Sequence, residues 1–332
     1  MSRALSHFTA KYFGKYLADD NITEICYNGD DKIWVLDTQS VWHCEESDLN
    51  FLSAQSIATS AGAFKEDEID KAKPIMSAVL VSGERVQFVL PPAAKKDHIS
   101  ITIRKPSKVR YTIEDYKKSG IFESIRSQDG SHKKTPNDLE LYRLYEERNW
   151  ADFMSKAVAY GKNVIICGET GSGKTTFMKS LIDFIPTTDR LITIEDVEEI
   201  KFYEHKNFVQ LFYPSEATSD DFLNSAALLK SCLRMKPDRI LLAELRGAET
   251  YDFMNVLTSG HGGSITSCHA GSSADCFKRL GMMILQNKQG QHIPYEIIQK
   301  MLFDVIDVIV HLYAHAGKRH ISEIYYKDMV GA

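Results

Sequence analysis

The stretch "CGETGSGKTT", residues 167–176, sets two glycines, a lysine and a hydroxyl residue at the spacing G-x-x-x-x-G-K-[ST]. Glycines at Gly168 and Gly173 allow backbone N–H groups to curl around phosphate oxygens, and a helix start behind them adds partial positive charge. The cradle then comprises Gly168, Glu169, Thr170, Gly171, Ser172, Gly173, Lys174, Thr175 and Thr176. Lys174 reaches the β- and γ-phosphates, and the Thr175 hydroxyl sits on Mg²⁺. The ligand of such a loop is a nucleoside triphosphate, taken here as ATP. The flanks agree: an apolar strand, Val164 to Cys167, leads in, and the helical "TFMKSLIDFI" leads out.

Two further apolar runs end in acids. "RLITIEDVEE" delivers Glu195 and Asp196, and "RILLAELRGAE" delivers Glu244. The C-terminal ends of parallel strands are where such sheets hold their ligands. Carboxylates placed there divide the labour: one holds a metal through water while another polarises the attacking water. Glu198 and Glu199 read as a solvated face. "TSGHGGSITSCHAGSS" sets His261 before a strand and His269 after it. No third ligand accompanies them, so a metal site is discounted. His269 reads as a hydrogen-bonding sensor of the γ-phosphate and His261 as structural. Arg85 and Arg104 project from the polar sides of two alternating strands, and spacing alone makes them solvated surface residues.

These residues need elements to position them. From Asn163 onward, apolar runs ("NVIICG", "RLITIED", "RILLAE", "SITSCHAG") alternate with helical segments, which predicts a mostly parallel sheet with helices on both faces. Upstream, "LSHFTAKYFGKYL" lines Leu5, Phe8, Tyr12, Phe13, Tyr16 and Leu17 along one helical face, to be packed on the core. "EICYNGDDKIWVL" reads as a hairpin, "SVWHC" as a third strand, and "MSAVLVSGERVQFVLPP" as a second hairpin about Ser82-Gly83. A helix over "DLNFLSAQSIATSAGAF" takes Asp48 or Ser47 as its cap. The division is an N-terminal α+β domain over 1–106, a linker over 107–149 and a nucleotide-binding α/β domain over 150–332. With 332 residues both domains have room for a core.

A net charge of -5 and a pI near 6.1 argue against a general nucleic-acid binder, and no sequence-specific nucleic-acid contact is expected. No apolar run approaches the roughly 18 residues of a membrane helix. The N-terminus lacks a secretion signal, and six cysteines without a C-x-x-C pair fit reduced core thiols in the cytosol.

"GETGSGKTT", "LITIEDVEE", "CLRMKPDRILLAELRGAETYDF" and "SGHGGSITSCHAG", in that order, resemble the Walker A, Asp-box, Walker B and His-box segments of the secretion-ATPase superfamily. Within it the chain resembles the traffic ATPases of type IV secretion systems, the eleventh component of the VirB set. "ITEICYNG", "SGERVQFVLPP" and "SITIRKPS" resemble that family's N-terminal domain. The resemblance implies a RecA-like ATPase domain, ATP and Mg²⁺ as ligands, and cytoplasmic homohexamers of two stacked rings with nucleotide at the domain junction. It implies contact with the other type IV secretion ATPases and inner-membrane components, peripheral to the cytoplasmic face of the inner membrane. Carried over, Lys174 is the phosphate-loop lysine, Glu195 the acid that activates water, Glu244 the magnesium-side acid with Thr175, and His269 the His-box residue. Arg85 and Arg104 match arginines that approach the phosphates. Rival readings are an ATPase of type II secretion or pilus assembly, disfavoured because no tetracysteine segment is present, and a nucleotide-sensing scaffold without turnover. The linker is long, which leaves open which subunit's nucleotide Arg85 and Arg104 serve.

Overall fold

In a computed structural model, which describes residues 2–107, 110–123, 125 and 134–329, the chain forms two sheets. The first carries α1 (Ser2–Ala18), β1 (Ile22–Tyr27), β2 (Lys32–Asp37), β3 (Trp42–Glu46), α2 (Phe51–Lys65), β4 (Ile75–Val79), β5 (Arg85–Val89) and β6 (Ser100–Arg104). Its six strands are antiparallel in the order β3-β2-β1-β6-β5-β4, so the two sequence-adjacent hairpins close around a central β1–β6 pair. Alternation does the rest: Ile99, Ile101 and Ile103 are buried with Val86, Phe88 and the α1 residues Leu5, Tyr12, Phe13 and Tyr16. Phe8 and Leu17 pack at the margin of that core. The cap of α2 is Asn50, whose side chain accepts from the Ser53 N–H, rather than Asp48 or Ser47. Asn places its amide oxygen where a free N-terminal donor lies, one turn closer to the first apolar residue.

The stretch between the domains is more structured than a linker. It contains α3 (Ile113–Lys118) and α4 (Pro136–Glu146), each opened by a threonine capping box, Thr112 with Asp115 and Thr135 with Asp138. Leu141 and Leu144 of α4 are buried in the second domain's core beside Phe153, Met178 and Tyr326, so this helix belongs physically to that domain. The centre of "SQDGSHKKTPND" lies outside the described residues.

The second sheet follows with α5 (Trp150–Ala159), β7 (Val164–Gly168), α6 (Lys174–Ile182), β8 (Leu191–Glu195), β9 (Phe208–Phe212), α7 (Ser225–Cys232) and β10 (Arg239–Leu245). It is completed by α8 (Glu249–Thr258), β11 (Ile265–Cys268), α9 (Ser273–Ile284), α10 (Tyr295–Val305), β12 (Val308–His315) and β13 (Lys318–Tyr326). Strand order is β13-β12-β7-β11-β10-β8-β9, parallel except for β13. The four strands expected from apolar runs occupy its middle. Strands β9, β12 and β13, toward the two sides of the sheet, are additions, and the last two form a hairpin through Ala316 and Gly317, both at positive φ. Apart from the exposed Cys44, the cysteines are buried, and all six are free thiols.

The domains meet along the β8–β9 edge. Ala94 bridges Leu211, and the Phe212 N–H donates to the Ala93 carbonyl at 2.8 Å. Fully buried Arg190 donates to Met235 O at 3.0 Å, and to Asn28 Oδ1 at 2.8 Å and Asn207 Oδ1 at 2.5 Å, while Trp42 Nε1 donates to Asp238 at 3.0 Å. A buried guanidinium left without such acceptors costs several kcal/mol, so this cluster fixes how the N-terminal sheet sits on the second.

Candidate active site

The loop between β7 and α6 wraps where the sheet's strands end. Gly168 adopts φ +151°, and a Cβ on it would stand 2.2 Å from the Leu312 carbonyl oxygen, so only glycine fits under β12. Gly173, at φ +96°, caps α6 and turns its first N–H groups into the loop. Lys174 is largely buried, with Nζ donating to the Gly168 and Glu169 carbonyls at 2.9 Å each. Burial holds its ammonium below the usual lysine range, against the pull of Glu244. Phosphate oxygens are stronger acceptors for that ammonium than loop carbonyls.

From Lys174 a chain of polar contacts runs across three strand ends. Its Nζ lies 3.4 Å from His269 Nδ1, and His269 Nε2 is 2.9 Å from Glu244 Oε1. A lysine ammonium only donates, so Nδ1 accepts and the Nε2–H donates to Glu244. The other Glu244 oxygen accepts from Arg246 Nε at 2.8 Å, and Arg246 Nη1 donates to Asp196 at 2.7 Å. These groups line a cleft of about 280 Å³ with Thr170, Gly171, Gly173, Thr175, Thr176, Ser267 and Arg319. The sequence grouped Lys174, Thr175, Glu244 and His269, and the structure brings them together. Arg246 and Asp196 complete the chain; their signal was their position one or two residues past an apolar run.

Glu195 stands elsewhere. It is fully buried; one oxygen accepts from the Thr193 hydroxyl at 2.8 Å, the other from the Glu199 and Ile200 N–H groups at 2.9 Å each. The acid expected to activate water thus points away from the cleft and pins the loop that follows β8. Asp196, the next residue, turns in. Strand alternation explains the swap, since successive side chains leave a strand on opposite faces.

Arg85 and Arg104 face each other across β5 and β6 in direct register. They line a separate cleft of about 510 Å³ with Phe64, Ser77, Leu233 and Arg234, and no N-terminal residue lines the phosphate-loop cleft. Within one chain, therefore, the arginines and the loop lie apart. His261 and His269 sit beyond opposite ends of β11, which rules out a shared ligand.

The donor set of the phosphate-loop cleft suits magnesium: a hydroxyl and carboxylates, all hard oxygens. Among the described residues no group of three His, Cys, Asp or Glu side chains that could hold a metal ion occurs.

Comparisons with known proteins identify the chain's relatives. The family described as "Type II/IV secretion system protein" matches residues 15–322. The Type IV secretion system protein VirB11 of Brucella abortus biovar 1 (strain 9-941) is 48% identical over 94% of this chain and 87% of its own. PtlH of Bordetella pertussis (strain Tohama I / ATCC BAA-589 / NCTC 13251), also a type IV secretion system protein, is 35% identical over 94% and 92%. The crystal structure of the VirB11 ATPase from the Brucella suis type IV secretion system, in complex with sulphate, superposes with a TM-score of 0.91 at 44% identity, covering 98% of this chain and 95% of that one. With a phosphate-loop cleft of the right chemistry and this likeness along its whole length, the chain belongs to the type II/IV secretion system protein family, among the VirB11 ATPases of type IV secretion systems.

Proposed function

We propose that this chain hydrolyses Mg·ATP as a homohexamer at the cytoplasmic face of the inner membrane, where it powers translocation or pilus assembly by a type IV secretion system. The observation that supports turnover, rather than nucleotide sensing alone, is the continuous chain Lys174–His269–Glu244–Arg246–Asp196 at the mouth of the loop. A scaffold that only binds needs the loop and its lysine. It has no use for two acids aimed at the γ-phosphate end.

The loop N–H groups and Lys174 hold the β- and γ-phosphates, and His269 couples the Lys174 ammonium to Glu244. Thr175 and Glu244 would hold the magnesium ion, which neutralises charge on the transferring phosphoryl group. Asp196, not Glu195, takes the proton of the attacking water, because Glu195 has both oxygens committed to its own loop. The oxygen–phosphorus bond to the β-phosphate breaks as the water–phosphorus bond forms. Arg85 and Arg104 act on a neighbouring subunit's nucleotide, since their own loop is in another cleft. Oligomers that assemble with Mg·ATP and release phosphate, together with inactivity of Lys174→Ala, are the expected results; a monomer with full turnover overturns the hexameric reading.

No helix among the described residues is long and apolar enough to cross a membrane.

A further inference from the structure

One cation of the phosphate-loop cleft has no part in the chain of contacts above. Arg319 lies on β13, at the far side of the sheet from the acids, yet it lines the same cleft as Lys174 and Glu244. Its position is set by backbone geometry. Leu312 of β12 pairs with Gly168, and Ala314 pairs with Arg319 across the tight Ala316-Gly317 turn. The side chain then crosses the last glycine of the loop: a Cβ on Gly173 would stand 2.7 Å from Arg319 Cδ and 2.9 Å from Nε. Glycine at 173 thus serves two ends, the left-handed turn and room for this arginine.

Its electrostatic situation differs from that of its neighbours. Lys174 donates to loop carbonyls, and Arg246 is shared between Glu244 and Asp196. Among the described residues Arg319 makes no hydrogen bond or ion pair, so its donors are free for a ligand. The side of approach selects which part of a nucleotide it meets. In the strand order β13-β12-β7-β11-β10-β8, Glu244 near the end of β10, His269 just after β11 and Asp196 just after β8 lie on one side of β7, and Arg319 comes from the other. With the γ-phosphate set toward the acids, as proposed above, the opposite end of the triphosphate is left on the side of Arg319.

We infer that Arg319 is a nucleotide-binding residue that grips the α-phosphate, the end nearest the nucleoside, from within the same chain. The inference rests on the nucleotide reading of this cleft. It makes Arg319 a residue of affinity rather than of γ-phosphate transfer. Charge-assisted contacts to phosphate are among the stronger hydrogen bonds, so its loss weakens binding by about tenfold.

Titration calorimetry with Mg·ADP and with the non-hydrolysable imido analogue of ATP tests this on the full chain, using wild type, Arg319→Ala, Arg319→Lys and Lys174→Ala. Arg319→Ala is expected to weaken both ligands by the same factor of about ten, leaving their affinity ratio unchanged, and Arg319→Lys to recover part of the loss. In steady state its KM rises by more than its kcat falls. Unchanged ADP affinity overturns the inference, as does a loss confined to the triphosphate analogue, which would move Arg319 to the γ end. If Lys174→Ala loses binding while Arg319→Ala does not, only this inference fails. If wild type binds neither ligand, the nucleotide reading fails with it.

Discussion

The two clefts of this chain differ in chemistry: one joins a phosphate loop to acids, the other gathers arginines on a sheet face. The phosphate-loop cleft is built largely from strand ends of the second sheet and supplies backbone N–H groups, hydroxyls, the cations Lys174, Arg246 and Arg319, and the acids Asp196, Glu199 and Glu244. The arginine cleft is built from a sheet face and the end of α7, and it supplies Arg85, Arg104 and Arg234 beside the exposed apolar side chains of Phe64, Val79 and Leu233. In the first, Glu244 and Asp196 share Arg246 between them, which leaves that cation neutralised by its own cleft. The second has cations without a loop to present a phosphate. In the proposed reading the arginine cleft of one subunit adds positive charge at the loop of another, where charge develops on the transferring phosphoryl group.

Lys174→Ala gives the largest effect expected from this comparison. It removes the only loop cation and should abolish phosphate release and most of the binding; steady hydrolysis by the variant would sink the phosphate-loop assignment. Next come Arg85→Ala and Arg104→Ala, for which turnover falls by about 10²–10³-fold while assembly and ATP affinity persist. Mixing either one with Lys174→Ala sharpens the test. If the arginines serve a neighbour, mixed oligomers contain some sites with both halves intact, and activity partly returns. Mixtures as dead as their components would place the arginines in their own subunit's site or in none.

A third pair of variants divides "TIED". Asp196→Asn should cut turnover by about 10²-fold with little change in melting temperature. Glu195→Gln should do the reverse, costing about 1–3 kcal/mol of stability because four donors lose a charged acceptor. Normal hydrolysis in Asp196→Asn with loss in Glu195→Gln would return the water to Glu195 and require the post-β8 loop to open during turnover.

How legible each cleft was follows from how it is built. Gly168 to Thr176 is one contiguous segment whose backbone conformation is dictated by its own glycines, so its role could be read directly. Glu244 and His269 needed only the further rule that ligands gather at strand ends. The strand-end rule named Glu195 and Asp196 together and the family resemblance gave Glu195 the water, but which of the two lines the cleft turns on a one-residue alternation at the end of β8 that no spacing rule could supply. Arg319 escaped notice because its strand pairs with β12 at the sheet's edge, and "HLYAHAGKRHISEIYY" is mostly exposed and polar, lacking the apolar run that marked the central strands. The Ala316-Gly317 pair was the available signal for that hairpin. Arg85 and Arg104 were correctly placed on adjacent strands, facing the same way. What they face depends on packing between domains, through Asn28, Arg190 and Asn207, residues 162 positions apart or more across that interface.

The smallest expected effect concerns Glu24, which couples the arginine cleft to that interface. It is buried on β1, 3.5 Å from Arg104, and burial pushes its carboxyl up from 4.5 to about 7, with Arg104, Lys236 and Arg190 pulling back. A carboxyl whose folded value lies above its unfolded one keeps its proton in the folded state. Ionising it therefore costs stability as pH rises from about 4.5 through about 7, and the full cost, on the order of 3 kcal/mol, is present above that window. Glu24→Gln removes the ionisation, so its melting temperature should exceed that of wild type by a few degrees at pH 8 and match it near pH 4.5. The Arg104 side chain is 68% exposed, which limits what the ion pair returns and keeps the sign of this prediction. If Glu24→Gln is instead less stable at pH 8 than wild type, the Glu24–Arg104 pair outweighs burial. Arg104 would then be held to its own domain, and the arginine cleft would be a structural site rather than half of a shared one.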